Sequence, residues 1–276
     1  MQRIGLLLLG VISLVEGEVV DFFHRSCPDF FIKDQNKPVT PTVVGDVSRY
    51  KQICQIYDNL YRYATLYDIK ERIPVYSAYI FSGYAQLDRC SRPWMIEPQL
   101  EDISRGKEMT TKRYAGGPVG PNQAVDGDYK NSGYNRGHVY PHCHNCDEDQ
   151  AESTFTLTNA APQTGPDNIQ WYNEVEKKVI DIIDNLCRLN TAHVVTGVIP
   201  GTKYINFRVN IPSYYWSAFC CKDKNSNSFI SRGYTLEMNE KGTAKAEQWS
   251  LDRLNTALGN GYKFLFQVFG TLKGCS

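Results

Sequence analysis

YNRGHVYPHCHNC, residues Tyr134–Cys146, gathers three of the chain's five histidines and two of its nine cysteines into thirteen residues. Three readings compete for it: a metal-binding cluster, a disulfide-stapled loop, or a strand bearing catalytic groups with a loop behind it. Each needs a different frame around the stretch, so the choice decides the fold.

Arg136-Gly137-His138 follows a long segment, Ala115–Gly133, whose glycines, prolines and aspartates mark it as a loop. In extended chain residues i and i+2 share a face, so the Arg136 guanidinium and the His138 imidazole are expected to reach one phosphate together. Imidazole also accepts a proton near neutral pH. Taken alone the tripeptide reads first as a structural histidine after a turn; its surroundings argue otherwise. Downstream, Asn159, Gln163, Asn168 and Glu176 offer neutral and acidic oxygens. On one helix Asn168 and Glu176 would lie about two turns apart and within roughly a quarter turn of the same side. A hard cation such as Mg²⁺ keeps most of its waters, so one amide oxygen suits it. Asn168 reads equally as a helix N-cap.

The HCHNC end divides differently. A structural zinc site draws a second ligand pair from a distant segment, and no such pair stands at finger-like spacing. Behind a secretory leader, Cys143 and Cys146 are expected in disulfides, with each other or with Cys90 or Cys275; zinc and free thiols are the alternatives. Cys220 and Cys221 adjoin on a predicted strand, whose neighbours face opposite sides, so they are expected to bond different partners, with Cys187 and Cys27 or Cys54 the candidates.

The leader is MQRIGLLLLGVISLVEG, residues 1–17, with an apolar run from Ile4 to Val15 that is too short to span a bilayer. Cleavage after Gly17 leaves about 260 residues, enough for one well-buried domain over 18–276. No second apolar run of about 18 residues follows, so no membrane anchor is expected. Thirty basic and thirty acidic residues cancel, which excludes a global field for nucleic acid and leaves phosphate chemistry to local charge. No Asn-x-Ser/Thr acceptor site occurs.

Periodicity predicts a helix over Val47–Tyr67, strands over Arg72–Phe81, Ser153–Thr158, His193–Pro200, Ile211–Cys221 and Phe229–Glu237, an amphipathic helix from Asn168 to Arg188, and a helix over Ala244–Leu258. Asn159–Asp167 reads as a turn-rich connection. Strands and helices mix without strict alternation, which points to an α+β domain with a central mixed or antiparallel sheet flanked by helices.

NRGHVYP, followed by NAAPQ, then DN, then WYNEVE, resembles the DNA/RNA non-specific endonuclease family, whose members carry a ββα-metal site. KQICQ, RIPVYSAY, EPQL and TFTLTNAAP are similar to one secreted vertebrate branch of it, the endonuclease domain-containing 1 proteins. The resemblance implies that His138 is the general base, that Asn168 binds Mg²⁺ (or Mn²⁺) directly, and that Glu176 orients metal-bound water. It implies further that Arg136 holds the scissile phosphate, that Asn135, Asn159 and Gln163 shape the substrate site, and that Arg92 is a second phosphate-binding arginine. The expected activity is one-metal, sequence-indifferent hydrolysis of DNA or RNA. Two residues depart from the family pattern: Asn135 stands where the family has Asp, and Ile180 where it favours Arg. They raise the alternative of a nuclease-fold module with weakened catalysis, acting as a secreted binding or immune-signalling protein.

Overall fold

The computed structural model describes residues 18–84 and 93–275. The leader over 1–17, Arg92 and Cys90 lie outside the described residues. Eight strands form one sheet with every neighbour antiparallel: β1 (Val19–Val20), β2 (Tyr50–Tyr57), β3 (Leu60–Asp68), β4 (Ile73–Ile80), β5 (His193–Ile199), β6 (Tyr214–Lys222), β7 (Phe229–Glu237) and β8 (Glu247–Trp249). The fold is α+β.

Both faces of the sheet are covered, which is why its central strands read as nearly continuous apolar runs. On β6, Tyr215, Phe219 and Cys221 join one core, while Trp216, Ala218 and Cys220 join the other. The first core receives Trp171, Val175, Val179 and Ile183 from the helix that follows the opening motif. The second receives Leu254, Leu258 and Tyr262 from a C-terminal helix, Leu251–Tyr262, and Phe23 and Phe31 from the N-terminal segment. No helix among the described residues is long and apolar enough to cross a membrane.

Several predicted elements change. Val47–Tyr67 is not a helix but the β2–β3 hairpin, turned by Asp58 and Asn59 at φ 52° and 59°. Two successive left-handed residues make the tight turn that suits strand twist, and Tyr63 and Tyr67 fill the core beside it. Ser153–Thr158 is not a strand: a helix, Glu148–Ser153, ends there, capped by Asp147, whose side chain accepts from Gln150 N at 2.8 Å. The strand lies later, at Ala160–Gln163, inside the predicted connection. The C-terminal helix starts at Leu251 rather than Ala244, because Ser250 caps it after β8.

Among the described residues three disulfides staple the fold: Cys27–Cys54, Cys187–Cys221 and Cys220–Cys275. Cys220 and Cys221 do bond different partners. Cys27 and Cys54 pair with each other, and Cys275 is taken by Cys220, so neither alternative bridge to those cysteines forms.

Candidate active site

Asn135–His138 and Ala160–Gln163 pair antiparallel as a two-stranded hairpin, with Asn135 opposite Gln163, Arg136 opposite Pro162, Gly137 opposite Ala161 and His138 opposite Ala160. The hairpin sits on the sheet through Tyr215 of β6, whose hydroxyl donates to Ala161 O at 2.9 Å and Gly137 O at 3.3 Å. Gly137 has no room for a side chain: a Cβ there would lie 2.1 Å from Gln163 Oε1 and 2.7 Å from Tyr215 OH. Alternation then turns Arg136 and His138 to the opposite, open face.

Both are half-buried among aromatic rings. The His138 ring meets Phe155 edge-on at 4.8 Å between centroids and Trp94 at 5.0 Å. The Arg136 guanidinium lies between Tyr129 at 5.3 Å and Trp94 at 5.8 Å, and pairs with Asp126. Asp126 opens a short helix in the long glycine-rich loop. It supplies this arginine with a carboxylate, although position 135 carries only an amide.

Asn159 and Gln163 sit beneath the open face. Asn159 is fully buried: its Oδ1 accepts from Ser77 Oγ at 2.9 Å and Tyr140 N at 2.8 Å, and its Nδ2 donates to Tyr140 O and Thr154 O, each at 3.1 Å. With its amide so engaged, it fixes the strand connection rather than touching substrate. Gln163 is 1 % exposed and packs under Gly137, its Nε2 3.7 Å from Met238 Sδ. Asn135 is exposed at the hairpin's start.

The site helix begins at Gly165, capped by Thr164, whose hydroxyl accepts from Asp167 N at 3.2 Å. The N-cap reading of Asn168 therefore fails. Asn168 is half-buried in the first helical turns, and among the described residues its amide has no hydrogen-bond partner. Tyr172–Glu176 is a π-helical turn between Gly165–Trp171 and Lys177–Leu186. An ideal α-helix would set Glu176 about 80° round from Asn168. The wider π turn winds less per residue and removes most of that offset, bringing the two side chains toward one face.

Glu176 is 8 % exposed and is gripped by the HCHNC loop. The Cys143 thiol donates to Glu176 Oε2 at 3.3 Å, and His144 Nε2–H donates to the Glu176 carbonyl at 3.1 Å. A carbonyl only accepts, so Nδ1 of His144 is left to accept from Tyr79 OH, 2.9 Å away. Cys143 and Cys146 do not bond each other; Cys146 Sγ points instead to Ser82 O at 3.0 Å. The loop's side chains thus diverge, and no group of three His, Cys, Asp or Glu converges on a metal position among the described residues. What suits a cation here is a hard-ion arrangement: the uncommitted oxygen of Asn168 with the Glu176 carboxylate on the same helix face.

Ile180 is packed in the core among Val179 and Ile183, so the arginine favoured by the family at this position has no counterpart there. Sequence reading missed Asp126, Trp94, Phe155, Cys143 and His144. Only the density of HCHNC hinted at the last two.

Burial pushes the His144 imidazole down to about 4. The unfolded chain, with an ordinary imidazole near 6.5, then binds the extra proton between those values, so stability is fully present above about pH 6.5 and is lost as pH falls toward 4. The span corresponds to about 3 kcal/mol. Urea midpoints measured from pH 4 to 7 should fall more steeply for the native chain than for His144→Gln; parallel curves would mean the imidazole is not held neutral.

A family profile described as DNA/RNA non-specific endonuclease matches residues 48–269. The human endonuclease domain-containing 1 protein is 30 % identical over 230 residues, which are 78 % of this chain and 43 % of that protein. The mouse protein of the same name is 31 % identical over 201 residues, 71 % of this chain and 38 % of its own length. The chain thus spans less than half the length of these relatives. Among solved structures, the crystal structure of the EndoG/EndoGI complex matches with a TM-score of 0.52 at 19 % identity, covering 71 % of this chain and 81 % of that one, a likeness of fold.

Proposed function

The chain belongs to the DNA/RNA non-specific endonuclease family, and from that premise we propose that it is a secreted, Mg²⁺- or Mn²⁺-dependent enzyme hydrolysing phosphodiesters of DNA, RNA or both. The observation that carries the reading is the placement of Arg136 and His138 on one open face of a hairpin that leads directly into the helix bearing Asn168 and Glu176. His138 takes the proton of the attacking water. Arg136, held between rings, binds the phosphate that water attacks. Asn168 would hold the cation through Oδ1, and Glu176 would hold it through water. The bound cation supplies neutralisation of the charge that builds on the phosphate and the leaving 3′-oxygen. Contacts of this kind address phosphate, which every nucleotide carries, so indifference to sequence follows. Secretion is supported by three disulfides, which form in oxidising compartments, and by the leader read over 1–17.

The test is cleavage of supercoiled plasmid and of RNA by oxidised protein with Mg²⁺, Mn²⁺ or EDTA. Cutting is expected with either metal and not in EDTA, and Asn168→Ala is expected to lower it about 10- to 10²-fold without changing the melting temperature. Folded protein that cuts neither substrate would favour the second reading, a binding module with weakened catalysis, for which Asn135 and Ile180 speak.

A further inference from the structure

A second polar cluster lies on the buried side of the segment that precedes Asn159, away from the open face of the hairpin. Glu18, Gln55, Glu97, Thr156 and Thr158 are all fully buried. Glu97 Oε1 accepts from Thr156 Oγ1 at 2.7 Å and Thr158 Oγ1 at 2.8 Å, and Gln55 Nε2 donates to Thr158 Oγ1 at 2.9 Å. The backbone of Glu97 is clamped by Gln123, which accepts from its N–H and donates to its carbonyl, each at 2.9 Å. Glu18 is placed by its carbonyl, which accepts from Cys54 N at 2.8 Å.

Among the described residues Oε2 of Glu97 and Oε1 of Gln55 have no hydrogen-bond donor, and the Glu18 carboxyl meets only the Ile56 backbone and the Glu97 carboxyl. Burial, and next the facing Glu97 charge, hold the Glu18 carboxyl well above the usual carboxylate range. One proton shared between the two carboxyl groups would relieve their repulsion. It would not meet Gln55 Oε1, an amide oxygen that only accepts. A buried acceptor left unmet, and a buried charge left unpaired, are both costly.

We propose that Glu18, Glu97 and Gln55 form a structural Ca²⁺ site. Two carboxylates and a dication sum to no net charge, and the amide oxygen and nearby hydroxyls are the hard donors that Ca²⁺ takes in variable number. Mg²⁺ fits less well, because it holds its waters tightly and the donors here are fully buried protein oxygens. The ion would tie the first described strand to Thr156–Thr158, next to Asn159, and so brace the base of the hairpin. The inference is independent of the nuclease reading.

The experiment uses Tb³⁺ as a luminescent stand-in for Ca²⁺. Tyr63 is fully buried and its phenol feels the charges of both Glu97 and Glu18, so it is placed to sensitise a bound Tb³⁺ on excitation near 280 nm. Expected are stoichiometric sensitised emission, its loss on adding Ca²⁺, and a melting temperature several degrees higher in Ca²⁺ than in EDTA. Glu97→Gln should abolish these effects; should that variant not fold, Gln55→Leu should weaken Tb³⁺ binding at least tenfold. Asn168→Ala should retain them. Absence of emission and of any Ca²⁺-dependent shift in melting overturns the site. So does emission that survives Gln55→Leu and disappears with Asn168→Ala, since the ion would then sit at the catalytic face.

Discussion

Replacing His138 by alanine is expected to lower cleavage of DNA and RNA by at least about 10²-fold, the lower range for a positioned acid–base group, and to shift the melting temperature by no more than about 3 °C. The two halves of that expectation come from different features. The ring is half-buried, held by Phe155 and Trp94 at the rim, so its loss opens no cavity in either main core. Arg136, two residues away, cannot take over its chemical role, because a guanidinium has no acceptor for the proton. Arg136→Lys should cost less, because a point charge still attracts phosphate while losing the fork and its stacking between Tyr129 and Trp94. Assays with His138→Ala at saturating substrate would show the defect in kcat. An outcome in which the variant melts early and still cuts would sink the mechanism and leave His138 as a packing residue.

The site was legible in sequence where its chemistry is local. Arg136 and His138 share a face because strands alternate, and Asn168 and Glu176 share a helix because of the apolar steps that carry Trp171, Val175 and Val179 into the core. Neither needs long-range information. What remained hidden depends on contacts between distant segments. The Val47–Tyr67 tyrosines fall at helical intervals, yet their hairpin is decided by the Asp58-Asn59 turn and by burial against both cores. NAAPQ reads as a turn by composition, and becomes a strand only because NRGH lies beside it with Tyr215 below. The HCHNC loop shows the same limit. Its residues advertise metal or disulfide chemistry, but Cys143 and His144 are directed to Glu176 by a helix more than thirty residues downstream. The π turn at Tyr172–Glu176 leaves no mark in a hydrophobic pattern, although it sets where Glu176 points.

Gly137→Ala is expected to be the most damaging single methyl in the molecule's active region. A Cβ at this position would meet Gln163 Oε1 at 2.1 Å and Tyr215 OH at 2.7 Å. Gln163 is buried and cannot swing to solvent, and Tyr215 is anchored in β6 at the centre of the sheet, so the strand itself must move. Overpacking of this kind costs about 1–3 kcal/mol, equivalent to a melting temperature lower by roughly 3–10 °C. Lifting the strand carries Arg136 and His138 with it, and a displacement near 1 Å at reacting groups can reduce rate about 10²-fold. Loss of activity should therefore exceed what the unfolded fraction explains, and should persist well below the melting temperature. Gly165→Ala provides the contrast within the same motif: its Cβ would meet nothing closer than Asn135 Nδ2 at 3.9 Å, so activity and stability should stay near those of the native chain. Should the two variants behave alike, the close seat of Gly137 on Gln163 and Tyr215 is not what aims the catalytic pair.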